Sequence, residues 1–487
     1  MKNSLGGEII AGRYIHVPSK KNWLAVTGLA LFYFYLFLSY PKSIQLPIVY
    51  FPFGILLLSV VRKPRLWLLF LPVLITFGTK TFDFGPFYSS VATFSVLGAA
   101  LFYLIVKLAG FRTFPNFPFP IFLVFLAYLF QMSSMFASLL NHANFPWNTI
   151  REANKIFVSA FLLLIIYDWF GRGEWFDKML KMIVALLFVM SLYGIYQYFL
   201  GDLDSFGEEA SGFDIAGRVY STIQGGPNSY SGVLELLVPT TLAAVFFFKE
   251  KYWKIFALIT TLLGFQNVLY TFSRAGFITV TLSCMVFLLY RYRKKVWIPI
   301  SVAIILIGSI SVNIEEFERQ LTIFSEPTSF IMDASILHRY TSYKGFINQI
   351  QKDPFVGVGW GSQEFFHSRV SLYSFWEVRH EDSLNKIDRF GGLNSLALEM
   401  PLKGGILSAI SLLLLFSALI VTSVKLFKQA VDKSLAFGMT CGLFAFAVHQ
   451  GFDNLLPWPQ TGAFFWIVFA LLISLTYPSC GKKLDSL

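Results

Sequence analysis

The chain has 487 residues, 55% hydrophobic and 18% aromatic, with only 14% charged and a mean hydropathy of +0.62. Soluble domains carry about 25% charged residues, so this surplus of apolar sequence excludes an ordinary soluble fold and suffices for many spans of about 20 residues. The formal charge of +11 does not mark a nucleic-acid binder, because Lys and Arg fall in short gaps between apolar runs rather than on one soluble face.

In chain order, the apolar runs predict about fourteen membrane spans. They are 23–39, 44–61, 66–78, 86–108, 118–140, 155–170, 179–200, 229–248, 253–270, 274–290, 296–312, 394–424, 435–452 and 458–477. Residues 66–78 are short enough to be tilted or re-entrant. The run 394–424 contains Pro401, Lys403, Gly404 and Gly405, and a break is predicted there. The fold class expected is all-α: a polytopic transmembrane helical bundle of about 12–14 spans with one large extracytoplasmic loop carrying short helices. It divides into spans over 1–312, a loop or lid over 313–393, and spans with a short tail over 394–487. Lys20 and Lys21 precede the first run, but no small-residue cleavage site follows, so a retained span is expected rather than a signal peptide.

Loop charge sets the orientation. Arg62, Lys63 and Arg65; Lys107 and Arg112; Arg172 and Lys178; and Lys249, Lys251 and Lys254 fill alternate gaps. Arg291, Arg293, Lys294 and Lys295, then Lys425, Lys428 and Lys433, then Lys482 and Lys483 continue the series. The intervening short gaps hold only Lys42, Lys80, Arg151 with Lys155, Arg218 and Arg274. The positive-inside rule therefore predicts both termini in the cytoplasm and the loop 313–393 outside. That loop carries Glu315, Glu316, Glu318 and Arg319 early and Trp360, Phe365, Phe366, Tyr373, Phe375 and Trp376 later. The mix suits a helical lid at the membrane interface, and equally a solvated loop with a few packed aromatics.

Four stretches on the predicted outer face carry candidate chemistry. Gly217-Arg218 leads through Gly225-Gly226-Pro227-Asn228 into a span: an anion site beside outward N–H groups, or a loop arginine with Asn228 as helix cap. Thr271-Phe272-Ser273-Arg274-Ala275-Gly276 puts an arginine at a span mouth, on the wrong side to orient the chain. Its fork suits phosphate oxygens, and an ion pair with Glu235 or Glu399 is the structural alternative. His338 and Arg339 precede Asp353-Pro354-Phe355-Val356-Gly357-Val358-Gly359-Trp360, whose alternating glycines allow a tight turn or close backbone approach to a ligand. Last come Gly391-Gly392-Leu393-Asn394, then Glu399 and Gly404-Gly405.

Metal ligation finds no support in the pattern. Asp202-Leu203-Asp204 sits in an acidic loop with Glu208 and Glu209, and the six histidines show no ligand spacing. His449 and Asp453 are spaced for a polar pair, with structural packing as the default. Cys284, Cys441 and Cys480 suggest no disulfide.

Taken in order, these pieces resemble the O-antigen ligase and O-antigen polymerase superfamily of bacterial membrane proteins, over roughly residues 215–450. The matching elements are Arg218 with Pro227-Asn228, Ser273-Arg274-Ala275-Gly276, His338-Arg339 with Asp353 to Gly359, and Asn394 with Gly404-Gly405. The resemblance implies a membrane glycosyltransferase of the bacterial inner membrane. Its substrates would be a glycan on undecaprenyl pyrophosphate and an acceptor glycan, and its partners the bilayer and other polysaccharide-assembly membrane proteins. Arg218 and Arg274, with Arg339, correspond to arginines that hold the pyrophosphate, and no metal, nucleotide or other cofactor is then required. Asn228, Gly357, Gly359 and Asn394 fall at loop and turn positions of the substrate site. Ligases of the superfamily carry a histidine just before, or three before, the Asn of the later span; here Leu393 and Gly391 stand there. His380, His338, Glu399 or Asp382 would then have to supply the base, and polymerisation is favoured over ligation to a lipid A core. A transporter is the competing class, since Glu235, Glu399, Lys403 and His449 lie within or near spans.

Overall fold

A computed structural model describes residues 64–77, 81–83, 88–108, 115–141, 146–171, 173–200, 218–223, 225–295, 343, 346–361 and 395–477. The predicted spans 23–39, 44–61 and 296–312 and most of the loop 313–393 lie outside the described residues. The elements are α1 (Pro64–Phe77), a hairpin of β1 (Thr81–Asp83) and β2 (Tyr88–Ser90), α2 (Val91–Leu108), α3 (Phe119–Asn141), α4 (Pro146–Val158), α5 (Phe161–Phe170) and α6 (Gly173–Leu200). They continue with α7 (Gly226–Phe247), α8 (Lys251–Tyr270), α9 (Arg274–Arg291), α10 (Leu396–Gln429), α11 (Lys433–His449) and α12 (Pro459–Thr476). Seven helical stretches among the described residues are long and apolar enough to cross a bilayer, and the architecture is that of an all-α polytopic membrane protein.

The chain forms two compact units. One comprises Met1–Leu68 with Ala99–Pro115, the other Leu69–Gly98 with Asn116–Leu487. In the first, Lys107 Nζ lies 5.4 Å from the centroid of the Tyr103 ring. In the second, α7 and α12 are central and buried on nearly all sides, as expected of helices apolar around their whole circumference. Helices α8, α9 and α11 pack on α7, while α5, α10 and α11 meet α12, and α10 lies along α3. Large apolar side chains such as Phe122, Leu262, Leu282 and Leu413 stay exposed, forming the surface a lipid environment would cover.

Three predicted spans begin five or more residues from the start of the apolar run, the run 179–200 opening at Gly173. The run 86–108 opens as strand β2, and the helix starts at Val91 because Ser90 Oγ accepts from Thr93 N (3.3 Å) as a cap. The run 155–170 extends back to Pro146 and is interrupted at Ser159–Ala160, where Ala160 N donates to Phe157 O (2.9 Å) and Leu162 N to Ser159 O (3.0 Å).

The break predicted in the long span is real and has a defined filling. Gly405 sits at φ 62°, ψ −155°, a region open in practice only to glycine. There Ile406 N donates to Pro354 O (2.9 Å) instead of to its own helix. The carbonyl of Leu402, left over by the break, accepts from Val358 N (2.8 Å), and that of Lys403 from Gly359 N (3.0 Å). Trp360 seals the joint: its N donates to Ser138 Oγ (2.8 Å), its Nε1 to Ser134 Oγ (3.1 Å), and its carbonyl accepts from Thr149 Oγ1 (2.9 Å). Glycine is required for this approach, since a Cβ on Gly405 would lie 2.1 Å from Phe355 O and one on Gly357 2.4 Å from Leu402 O. Gly405→Ala and Gly357→Ala are therefore each expected to destabilise the folded protein by about 2 kcal/mol or more. Thermal unfolding of the purified protein in nanodiscs measures this, and unshifted transitions would refute the close approach.

Candidate functional site

Helices α7, α9, α10 and α12 begin at one end of the second unit, where α6, α8 and α11 finish. That end is tied together by Val219 N to Tyr270 O (3.0 Å), Leu396 N to Gln450 O (2.9 Å), and Gln460 Nε2 to Thr222 O (3.0 Å) and Thr76 O (3.0 Å). Lys178, Lys249, Lys251, Lys254, Arg291, Lys425, Lys428 and Lys433 lie at the opposite end. Arg218 and Arg274 belong to the first end, away from these cations.

Arg218 is half-buried, and hydrogen bonds from Nε and Nη2 fix its direction. Its Nε donates to Thr271 O (2.9 Å) and its Nη2 to Asn228 Oδ1 (2.9 Å). Thr271 is three residues before Arg274, the half-buried first residue of α9, so the two arginine-bearing segments are joined directly. Ser273 caps α9, accepting from Gly276 N (3.3 Å). The entry to α7 is made by Gly225 (φ 89°) and Gly226 (φ 79°) ahead of Pro227. Asn228 does not cap that helix: its amide joins Arg218 to Asp453, with Nδ2 2.7 Å from Asp453 Oδ2.

Backbone strain gathers in the same two segments. Among the described residues, the non-glycine residues with positive φ are Ser221 and Phe272, both at 50°. Ser221 follows Arg218 by three residues, and Phe272 precedes Arg274 by two. Such conformations cost about 1–3 kcal/mol each and persist only where the surroundings over-determine them. For Ser221 the clamp is explicit: its N donates to Gln197 Oε1 (2.7 Å), its Oγ to Met190 O (2.7 Å), and its carbonyl accepts from Gln197 Nε2 (3.3 Å). Phe272 N is held by Leu269 O (3.0 Å), next to the stacked rings of Tyr198 and Tyr270, 3.8 Å apart. Gln197→Ala should loosen the Arg218 segment while leaving the helices in place. Amide hydrogen exchange at 219–223 is expected to quicken about tenfold, the loss of the two buried hydrogen bonds to Ser221 together costing ~1.4 kcal/mol or more; unchanged protection would remove the clamp from the account.

From Asp453 the polar chain continues. Asn454, whose N donates to Asp453 Oδ1 (2.8 Å), donates from its side-chain amide to Glu399 Oε2. Glu399 Oε1 lies 2.5 Å from Lys403 Nζ, which also faces Glu152 Oε2 at 3.6 Å and the Trp360 ring at 5.9 Å. A hydrogen-bonded and ionic path thus runs from Arg218 to the broken helix. The carboxylates of Glu235 and Glu399 each hold other residues. Buried Glu235 accepts from Thr279 Oγ1 (2.7 Å) and pairs with His449 Nδ1 (2.5 Å), while Glu399 holds Lys403 and Asn454. His449 and Asp453 are not a side-chain pair: His449 bonds Glu235 in the body of α7, while Asp453 bonds Asn228 in its first turn.

Of the residues singled out in the sequence, Arg218, Arg274 and Asn228 share one region, and Glu399 joins it through Asn454 and Asp453. Gly357 and Gly359 instead press on the backbone of α10, so their close approach is to the protein's own helix. His338, Arg339, His380, Asp382, Asn394 and the acidic stretch at 202–209 lie outside the described residues. Sequence reasoning missed the linking role of Asn454 and the part played by Glu152; their only sequence signal was a polar residue at the head of an apolar run. No group of three or more His, Cys, Asp or Glu among the described residues is arranged to hold a metal ion, and the described Cys284 and Cys441 are free and buried.

Residues 259–384 match a family model described as O-antigen ligase. The matched stretch includes Arg274, His338, Arg339, Gly357, Gly359 and His380, and supports the O-antigen ligase and polymerase superfamily for this chain. A search of curated proteins found no match.

Proposed function

We propose that this membrane protein of O-antigen assembly transfers a glycan from undecaprenyl pyrophosphate to an acceptor sugar, with polymerisation favoured over ligation to a lipid A core. The observation that carries the reading is the joining of Arg218 and the head of α9 by the Arg218–Thr271 bond (2.9 Å), within two strained segments. Breaking the sugar–phosphate bond leaves negative charge on the departing pyrophosphate. Guanidinium groups already oriented at a partly dry surface stabilise that charge without reorganising. The acceptor hydroxyl attacks the sugar carbon, the bond to the phosphate oxygen breaks, and the hydroxyl proton passes to a base. Glu399 is one candidate for that base, with His338 and His380 of the loop as the others. Arg339, Asn228 and Asn394 are assigned to donor binding, and no metal is invoked for the step.

The chain is placed in the bacterial inner membrane with both termini cytoplasmic, the arginine end outside, and the loop over it as a lid. Apolar surface between helices then faces the polyprenyl chain. Leu393 and Gly391, standing where ligases carry a histidine, favour the polymerase assignment.

One observation favours a second reading. Glu235–His449 and Glu152–Lys403–Glu399 are ionisable groups buried among helices, as in ion-coupled transporters. Proteoliposomes loaded with a lipid-linked oligosaccharide separate the readings. A ladder of elongated glycans without solute uptake is expected; ion or solute flux with unaltered oligosaccharide would replace the enzyme with a transporter.

A further inference from the structure

Asp453 and Asn454 lie in the turn between α11 and α12, beyond the stretch that matches the family model. The two neighbours reach in different directions. Asp453 accepts from the Asn228 amide (2.7 Å), whose oxygen in turn accepts from Arg218 (2.9 Å), and Asn454 donates to Glu399. The turn itself is held: Gln450 Oε1 accepts from Leu455 N (3.1 Å) and Leu456 N (3.1 Å), and Asp453 N donates to His449 O (2.9 Å).

We infer that Asp453 and Asn454 are positioning residues of this site, Asp453 aiming the Arg218 guanidinium through Asn228 and Asn454 aiming the Glu399 carboxylate. The inference rests on the proposed reading of Arg218 as a diphosphate ligand. Its physical content is the polarity of one amide. Asn228 has one acceptor and one donor face, and Arg218 takes the acceptor only because a carboxylate at 453 takes the donor. An amide flipped the other way would set an N–H against the guanidinium and turn it aside. A carboxylate at 453 fixes the choice, since it accepts and cannot donate when ionised. The negative charge two bonds from Arg218 thus acts on orientation without contacting the guanidinium directly.

The chemistry permits an exchange of roles. Asn228→Asp sets two carboxylates against each other, whereas Asn228→Asp with Asp453→Asn restores an acceptor facing Arg218 and a donor facing position 228. The probe is undecaprenyl pyrophosphate, with undecaprenyl monophosphate as comparison, binding to the full chain in nanodiscs. Asn228→Asp is expected to weaken pyrophosphate binding about tenfold, one misaligned charged hydrogen bond being worth ~1.4 kcal/mol or more. The double variant should return to within about threefold of the parent, as expected where two side chains act as one unit. Asp453→Asn alone, whose amide can donate as well as accept and so no longer fixes the Asn228 orientation, should weaken pyrophosphate binding by about threefold to tenfold. Monophosphate binding should change less than pyrophosphate binding throughout, which a mere loss of folding would not produce. If Arg218→Ala weakens binding but Asn228→Asp does not, or the double variant fails to recover, the positioning role is overturned alone. If Arg218→Ala leaves pyrophosphate binding intact, the donor reading falls and takes the positioning role with it.

Discussion

Arg218→Ala and Arg274→Ala are each expected to lower the rate of glycan transfer by about 10²–10³-fold while the protein still inserts and purifies normally. The size follows from the charge that the leaving pyrophosphate must carry in a site with little water. Each guanidinium contributes where charge develops, so the loss should fall on kcat more than on donor KM. Lysine should not substitute at position 218, because Arg218 uses Nε and Nη2 for Thr271 and Asn228 at 2.9 Å each. An ammonium on a flexible stem has no such planar fork. Transfer measured with a lipid-linked oligosaccharide in nanodiscs tests this, and parental rates in both alanine variants would end the enzymatic account.

Lys403→Met is expected to be the most damaging single change to stability. Lys403 is buried, with Glu399 Oε1 at 2.5 Å and Glu152 Oε2 at 3.6 Å. Removing the ammonium leaves the buried Glu399 carboxylate without its cation, while Glu152 keeps Lys155 Nζ at 2.5 Å, and breaking such a buried pair costs about 3–5 kcal/mol. Lys403→Met combined with Glu399→Gln should recover part of that loss, because position 399 is then neutral and Glu152 keeps its partner Lys155. Thermal unfolding of the parent, both single variants and the double variant in nanodiscs measures the cycle. A Lys403→Met variant as stable as the parent would mean that the cluster is hydrated rather than buried.

The helical architecture is legible in the sequence because apolar length and alternating charge are one-dimensional signals. Each of the predicted spans lying within the described residues contains a helix, and the Pro401 to Gly405 run announces the break in α10. What fills the break was not legible. The Asp353 to Trp360 segment reaches Leu402 and Lys403 by backbone hydrogen bonds, and glycine spacing alone does not distinguish a ligand from a neighbouring helix.

At the site, the two arginines stood out because they sit on the side where orientation does not call for cations. Their surroundings did not. Asn228 reads as a helix cap from local sequence, yet its partner Asp453 is 225 residues away. His449 reads as the companion of Asp453, yet it bonds Glu235 across 214 residues. Side-chain direction at a helix end depends on which helices lie alongside, and that information exists only once the bundle has packed. The strain at Ser221 and Phe272 is likewise invisible beforehand, because neither residue type favours positive φ.

The central claim is that Arg218 and Arg274 together grip a lipid diphosphate, and an electron cryomicroscopy map of the nanodisc protein with undecaprenyl pyrophosphate tests it most directly. The account predicts diphosphate density in contact with both guanidinium groups, beside the turn from Thr271 to Ser273, and its disappearance in the Arg218→Ala protein. Density elsewhere, with both arginines packed against protein alone, would contradict it.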